Sequence, residues 1–451
     1  GAFELFGWEV GVARSVVLAF SALLVFAVYD CTRLLASRTA GPSAAHAGGA
    51  VSLAFLLLAS SFAGLRVSVM IGIPALALAA FAFWAALRSQ DSPERRRAWV
   101  ALAGMAFAAS LSTKLFTAFL LPLLLGCILQ PELRTVTAVA RRAKTLGALA
   151  RGCALPLLFF AAGFALMLSL TMAPAMRAEA WSQLYLTHAK AEGAYKSQYT
   201  VGVLLSRDWL LYVMAGLGSL ALIAVRGARI GLWFSAWLGL GALVLSRHTP
   251  LWAHHNQLMI VPAAVLAGCA VALVPALVPW SQFAARSVGF ARSGAVLTGV
   301  ALALAGLFAV SGERAELLLQ PYGRSDAGDR AALKKLQELG VRADGYMVSS
   351  RQIYAFYLGV PVPPTLSVTS AKRFRSGHLD ASILNAEIRR HRARVVVMSQ
   401  RWPKPVRDSV RRSLGAEYEL IYQDRKNQDL AVYRLRDDAA SGRPSLTAEA
   451  R

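Results

Sequence analysis

The sequence predicts a polytopic α-helical membrane protein of about ten spans, N-terminally truncated, that carries a C-terminal extracytoplasmic α/β domain. Three observations predict it. Of the 451 residues 56% are hydrophobic and only 16% charged, well above the apolar content of an ordinary globular chain. Stretches such as 51–65, 73–87 and 261–279 run close to a bilayer width with no charged side chain. Beyond residue 311 the pattern changes to short alternating helical and strand-like segments with charged surfaces.

Hydropathy places spans at 14–30, 50–65, 72–88, 98–113, 116–130, 152–173, 207–225, 230–246, 258–280 and 294–311. The net charge of +23 raises the possibility of nucleic acid, but much of the Lys and Arg sits in short loops between spans, not on one amphipathic face. Arg33/Arg38, Arg88 with Arg95–Arg97, Arg134 through Arg151, Arg226/Arg229 and Arg286/Arg292 fall in alternate loops, which the positive-inside rule assigns to the cytoplasm. The loops 61–72, 113–116, 174–206 and 247–257 then face outward, and the last span delivers 312–436 to the outer face. The four cysteines, Cys31, Cys127, Cys153 and Cys269, lie in or beside spans; they read as packing residues, and no metal site is expected. The chain opens at Gly1 without a secretory pattern, so an N-terminal segment is expected to precede it.

The outer domain reads as helix 328–339, strand 346–349, helix 351–358, a Pro-rich link 360–364, helix 381–391, strand 394–399, helix 405–414 and strands 418–422 and 430–435. Such alternation favours a small, mainly parallel sheet with helices on its faces. The tail 437–451, rich in Ala, Ser and charge, is expected to be disordered.

Four constellations carry polar chemistry at the outer face. Leu111-Ser112-Thr113-Lys114 sets a lysine where one span ends and the next begins; it reads either as a snorkelling interface lysine or as a phosphate ligand. Arg247-His248-Thr249-Pro250-Leu251-Trp252-Ala253-His254-His255-Asn256 packs imidazoles, a guanidinium and an indole into one short connection, suited to a metal, an anion or sugar, or plain interfacial hydrogen bonding. The loop 174–207 interleaves Trp181, Tyr185, His188 and Tyr195 with polar residues; rings of this kind stack on the apolar face of a pyranose, or form an aromatic belt in the headgroup layer. Arg66 is either a lipid-phosphate ligand or a boundary anchor. Outer carboxylates are few (Glu4, Glu9, Glu179, Glu192, Asp208), and none is paired at a spacing that identifies an acid and a base.

With these residues in view the chain resembles the multi-span glycosyltransferases of the C superfamily (GT-C), in particular the bacterial protein-mannosyltransferase and aminoarabinose-transferase-like group. Leu5-Phe6-Gly7 with Ala13-Arg14-Ser15 is similar to the lead-in to the second span, and Leu111-Ser112-Thr113-Lys114 to the Leu-x-Thr-Lys turn. Pro250 to His255 followed by Pro262 is similar to the Pro-x-x-x-His-His loop. Ser376-Gly377 after Pro363-Pro364, with the closing strand 430–435, is similar to the outer domains of that branch.

The resemblance implies transfer of a sugar from a polyprenyl-phosphate lipid donor to a glycan, lipid or protein acceptor at the outer face of a bacterial inner membrane, with no nucleic acid involved and no cofactor or divalent cation assigned. It implies donor-phosphate contacts for Lys114, Arg66, His254 and His255. The aromatic loop residues Trp181, Tyr185, His188 and Tyr195 are candidates for sugar or acceptor. Its catalytic aspartate is expected upstream of Gly1, and an acidic position of the family is occupied here by Gly72. Two rival classes are a transporter or flippase, which would set ionisable groups at the bilayer midplane, and a non-catalytic assembly protein of envelope glycan synthesis.

The topology is tested by cysteine labelling in a chain freed of its native cysteines. An impermeant maleimide applied to intact cells is expected to label Asp380→Cys and to spare Arg96→Cys. The reverse pattern would invert the assignment.

Overall fold

A computed structural model describes residues 10–66, 72–139, 146–171, 199–249, 251–277, 299–300, 304, 327–338, 345–375, 377–424 and 430–436. The chain divides into a helical membrane unit and a C-terminal α/β unit.

In the membrane unit, helices α1 (Val10–Ser37), α2 (Pro42–Leu58), α3 (Ser60–Leu65), α4 (Gly72–Asp91), α5 (Arg96–Thr113), α6 (Leu121–Val139) and α7 (Leu146–Thr171) follow in order. They are succeeded by α8 (Val201–Arg207), α9 (Trp209–Ala224), α10 (Leu232–Arg247) and α11 (Gln257–Leu277). The described residues of the spans expected up to 258–280 are largely helical, but the one at 50–65 is divided between α2 and α3 by a break at Ala59; the tenth, 294–311, lies almost wholly outside the described residues. Among the described residues six stretches, including Gly11–Ser37, Gly152–Thr171 and Ala253–Val274, are long and apolar enough to cross a membrane. The pair α8 and α9 passes the same test only when its two helices, bent by 92°, are counted together, as a broken span or a re-entrant loop. Helix α5 is less apolar and packs between α4 and α7.

Hydrocarbon offers no hydrophobic force between helices, so packing depends on close approach of small residues. Gly48 on α2 and Gly268 on α11 lie against each other's backbone, Gly218 on α9 lies on the Leu266 carbonyl, and Gly104 on α5 and Gly163 on α7 face the opposing backbones at Phe160 and Ala101. Any side chain at these points would meet backbone atoms. Helix α11 is accordingly buried over nearly all its length, with Cys269 in its packed face as expected; Cys31 and Cys127 are likewise buried.

The Arg-rich end of the bundle is held by ion pairs. Asp30 receives Arg33 Nε at 2.6 Å and the Trp84 indole at 2.8 Å, with Arg88 at 3.3 Å. Arg38 meets Asp91 at 2.8 Å and Arg96 meets Glu132 at 2.5 Å. Arg33, Arg38, Arg88 and Arg96 are thus each paired with a carboxylate, all but Arg33 with one on another helix.

The C-terminal unit runs α12 (Ala327–Glu338), β1 (Met347–Ser349), α13 (Ile353–Leu358), α14 (Ala371–Arg375), α15 (Ala381–Arg390), β2 (Val395–Met398), α16 (Lys404–Leu414), β3 (Tyr418–Asp424) and β4 (Leu430–Leu435). The expected elements stand within a residue or two of their predicted limits, with α14 in addition. The expectation of a mainly parallel sheet is corrected. The order is β1-β2-β4-β3, with β1 and β2 parallel and both other pairings antiparallel. The connection between β3 and β4 is too short for a crossover, so these strands return as a hairpin.

Both sheet faces are covered, which explains why β2 is buried at every position. Val395 and Val397 face Ala332, Leu336 and Tyr354; Val396 and Met398 face Leu384, Trp402 and Val410. Tyr418 donates its hydroxyl to the Ala393 carbonyl at 2.7 Å, and burial pushes its phenol pKa up. Gly359 ends α13 at φ +61°, in the left-handed region that favours glycine. The expected disordered tail 437–451 lies outside the described residues.

The glycine contacts make a sharp prediction. Gly218→Val drives a branched side chain into the Leu266 backbone and is expected to destabilise the bundle by about 1–3 kcal/mol or prevent its assembly. Gly216→Val, with nothing within 4 Å of the added carbon, is expected to be neutral. Thermal unfolding of the detergent-purified variants, followed by size-exclusion chromatography, reads the difference.

Candidate lipid-phosphate site

Helix α5 ends at Thr113 because Lys114 leaves the helical region, with φ −163° and ψ 123°. The chain then re-enters a 3-10 run at Leu115–Leu120 that leads into α6. Three hydroxyl contacts hold this turn. Ser110 donates to the Ala75 carbonyl of α4 at 2.7 Å, Ser110 and Thr117 hydroxyls lie 2.8 Å apart, and Thr117 also reaches the Lys114 carbonyl at 3.4 Å. The lysine therefore stands on a turn fastened to two helices at the end of the bundle opposite the Arg-rich loops.

The Lys114 ammonium lies 4.8 Å from the centre of the Phe116 ring and makes no ion pair among the described residues. Its half-burial lowers its pKa from the usual lysine value, because desolvation disfavours the charged form. Phe116 also touches His255 and His248, with ring centres 5.4 and 6.4 Å apart. His255 in turn contacts His248 at 4.8 Å and His254 at 4.4 Å, both edge to face.

Lys114, Phe116 and three imidazoles thus form one cluster. The Trp252 amide donates to His255 Nδ1 at 3.3 Å, so a neutral His255 carries its proton on Nε2 and offers it as a donor. Among the described residues no three of His, Cys, Asp and Glu converge as a metal site would require.

The 3-10 turn Ala253–Asn256 that presents the imidazoles is anchored by a buried polar network that sequence reasoning did not assemble. Asp208, 4% exposed at the bend between α8 and α9, accepts the Ser60 amide at 3.0 Å, the Ser60 hydroxyl at 2.7 Å and Asn256 Nδ2 at 3.1 Å. Tyr212 donates to Asn256 Oδ1 at 2.7 Å. An acid standing directly before an apolar run is a helix-start signal, but nothing in the chain pointed to partners 48 and 148 residues away. With both oxygens taken by donors, Asp208 serves as a tether rather than as a base.

Of the residues singled out in the sequence, the structure brings together Lys114, His254 and His255 and adds Phe116 and His248. Arg66 lies apart, lining an apolar groove of about 540 Å³ between α1 and α2 with Leu18, Val25, Phe26 and Leu57. Its carbonyl receives the Ser21 hydroxyl at 2.7 Å. Gly72 lies near the buried Gln257, and a Cβ there would stand 3.6 Å from Gln257 Oε1. Trp181, Tyr185, His188 and Tyr195 lie outside the described residues.

No family model and no curated protein matches the sequence. Its architecture, a many-span helical unit and an α/β unit, nevertheless has solved counterparts. Two solved structures of ArnT from Cupriavidus metallidurans share it. The one bound to undecaprenyl phosphate superposes with a TM-score of 0.60 at 16% identity, and the apo state with 0.54 at 17%. Each covers 98% of this chain and 87% of the other. The chain therefore has an ArnT-like fold.

The Asp208 network predicts the behaviour of its variants. Asp208→Ala leaves Ser60 and Asn256 donors buried without an acceptor, and is expected to cost about 1.5–3 kcal/mol of stability. Ser60→Ala, which removes one hydroxyl, is expected to cost about 1 kcal/mol. An unchanged unfolding temperature for Asp208→Ala would remove the tether from the account.

Proposed function

We propose that the protein is a membrane glycosyltransferase that takes a sugar from a polyprenyl-phosphate donor and passes it to an acceptor at the membrane face bearing Lys114. The observation that carries this reading is the Lys114 cluster: an ammonium with no carboxylate partner among the described residues, half-buried beside imidazoles, at the end of a helix where a lipid phosphate would lie. The ArnT-like fold and the undecaprenyl phosphate bound by one of those structures support the same donor class. The apolar groove beside Arg66 has the character needed to lodge a prenyl chain next to a cation.

In the reaction an acceptor oxygen bonds to the anomeric carbon as the bond from that carbon to the phosphate oxygen breaks. The electron pair goes to the phosphate, and the acceptor proton goes to a base that we assign to none of the described residues. A lipid phosphate is already an adequate leaving group; it needs its growing negative charge offset. Lys114 offsets that charge directly, and the Nε2–H of His255 adds a donor. Both act at low local dielectric, where such contacts are stronger than in water. Transport is a weaker reading, since the ionisable groups described gather at the two ends of the bundle. On the charge bias of the loops, the C-terminal unit is proposed to be extracytoplasmic.

Lys114→Ala in membranes is expected to leave insertion intact and reduce transfer by about 10- to 1000-fold, the scale of losing one charge-stabilising donor. Lys114→Arg keeps the charge but changes its shape, and is expected to be partly active. Parental rates from Lys114→Ala at limiting lipid donor would reduce this lysine to an anchor.

A pH profile supplies an independent check. Because burial lowers its pKa, Lys114 loses its proton at a lower pH than a free lysine, so transfer should decline with rising pH before the usual lysine range is reached. In Lys114→Arg that alkaline decline should move to higher pH.

A further inference from the structure

The turn that carries the imidazoles gathers basic groups from several elements. Lys114 comes from the end of α5, His248 and the exposed Arg247 from the end of α10, and His254 and His255 from the 3-10 turn before α11. His254 meets His255 edge to face at 4.4 Å, and Lys114 and His248 both act on it electrostatically. Among the described residues no carboxylate forms an ion pair with Lys114, His254 or His255. Asp208, the carboxylate that anchors this turn, faces Ser60 and Asn256.

Such a cluster cannot charge fully by itself. Two unit charges about 4 Å apart repel by about 4 kcal/mol at an effective dielectric constant of about 20, the equivalent of about three pH units. Adjacent imidazoles are therefore not both cationic near neutral pH, and Lys114 opposes even the first proton. A phosphate anion reverses the balance, because it attracts a proton for the same reason that it attracts the ammonium. His255 is the wrong acceptor: its Nδ1 already receives the Trp252 amide at 3.3 Å, and a proton there would set two donors against each other. His248 directly follows Arg247, whose charge opposes a proton on that ring. His254 is partly exposed and has no hydrogen bond to lose among the described residues.

We propose that His254 takes up a proton from solvent when the donor phosphate binds, and passes it to the phosphate oxygen as the bond to the anomeric carbon breaks. This rests on the donor class inferred above. The donor is a phosphodiester with one negative charge, and the departing polyprenyl phosphate is a monoester that would carry two. A monoester gives up its second proton at a pKa of about 6, close to the imidazole value of about 6.5, so the transfer is nearly level in free energy. The electron pair of the broken bond stays on the phosphate oxygen, the imidazolium N–H bond breaks to neutralise that charge, and His254 is left neutral. The acceptor proton leaves through the separate base, so solvent supplies one proton and receives one in each turnover.

The test is isothermal titration calorimetry of the full chain in detergent, in two buffers of different ionisation enthalpy, with undecaprenyl methyl phosphate as the probe. This diester neither gives nor takes a proton near neutral pH, so the protons counted belong to the protein. A group that holds its proton more tightly in the complex strengthens binding at low pH and loses that effect as pH rises. Uptake of a substantial fraction of one proton per bound probe is expected, with affinity weakening by up to about tenfold per pH unit, the limit for one linked proton. Uptake should persist in Lys114→Arg, whose charge does not titrate, and in His248→Gln. It should vanish in His254→Gln, or in His254→Asn if the first variant does not fold, while weaker binding remains. Absence of uptake in the parent, its persistence in the His254 variants or its loss in Lys114→Arg would each overturn the assignment. Binding of the probe without uptake leaves the donor reading standing, whereas a probe that does not bind the parent removes that reading and this inference together.

Discussion

The membrane unit depends on one constraint: in hydrocarbon, helices are held by contact and hydrogen bonds alone, so the central helix must be approached closely enough for backbones to touch. Gly48, Gly218 and Gly268 make that approach possible around α11. The consequence reaches the candidate site, because the residues immediately before α11 are Ala253–Asn256, the turn that carries His254 and His255. Where α11 sits therefore decides where the imidazoles stand relative to Lys114.

The polar groups of this unit divide by position along the helices. At one end Arg33, Arg38, Arg88 and Arg96 are matched by Asp30, Asp91 and Glu132. At the other end the carboxylate Asp208 is committed to Ser60 and Asn256, and Lys114 forms no ion pair among the described residues. A cation left uncompensated at a membrane boundary attracts anions, and the cost of its burial is recovered when one arrives.

Much of the fold was legible in the sequence because its signals are local. Apolar runs of bilayer length, broken by arginine-bearing loops, yield span limits without any knowledge of packing. Alternating short elements likewise located the helices and strands of the C-terminal unit to within a residue or two. Sheet order was not local: a strand's direction depends on which neighbour it joins. The tight return from β3 to β4 imposes an antiparallel pairing that a count of alternating elements cannot show.

For the site, the sequence by itself determined which residue types stand at the membrane boundary, and so Lys114, His254 and His255 could be named in advance. Tertiary structure decided which of them meet. Phe116 joins the lysine to His255 and His248 because the turn at 110–117 is fastened to α4 through Ser110. Arg66 instead lines a separate groove along α1. Asp208, read from the chain as an isolated carboxylate, became the tether of the histidine turn only when helices 148 and 48 residues apart were packed together. The physical reason is the same in each case: a hydrogen bond or ring contact acts over a few ångströms of space, and separation along the chain carries no information about that distance until the helices have packed.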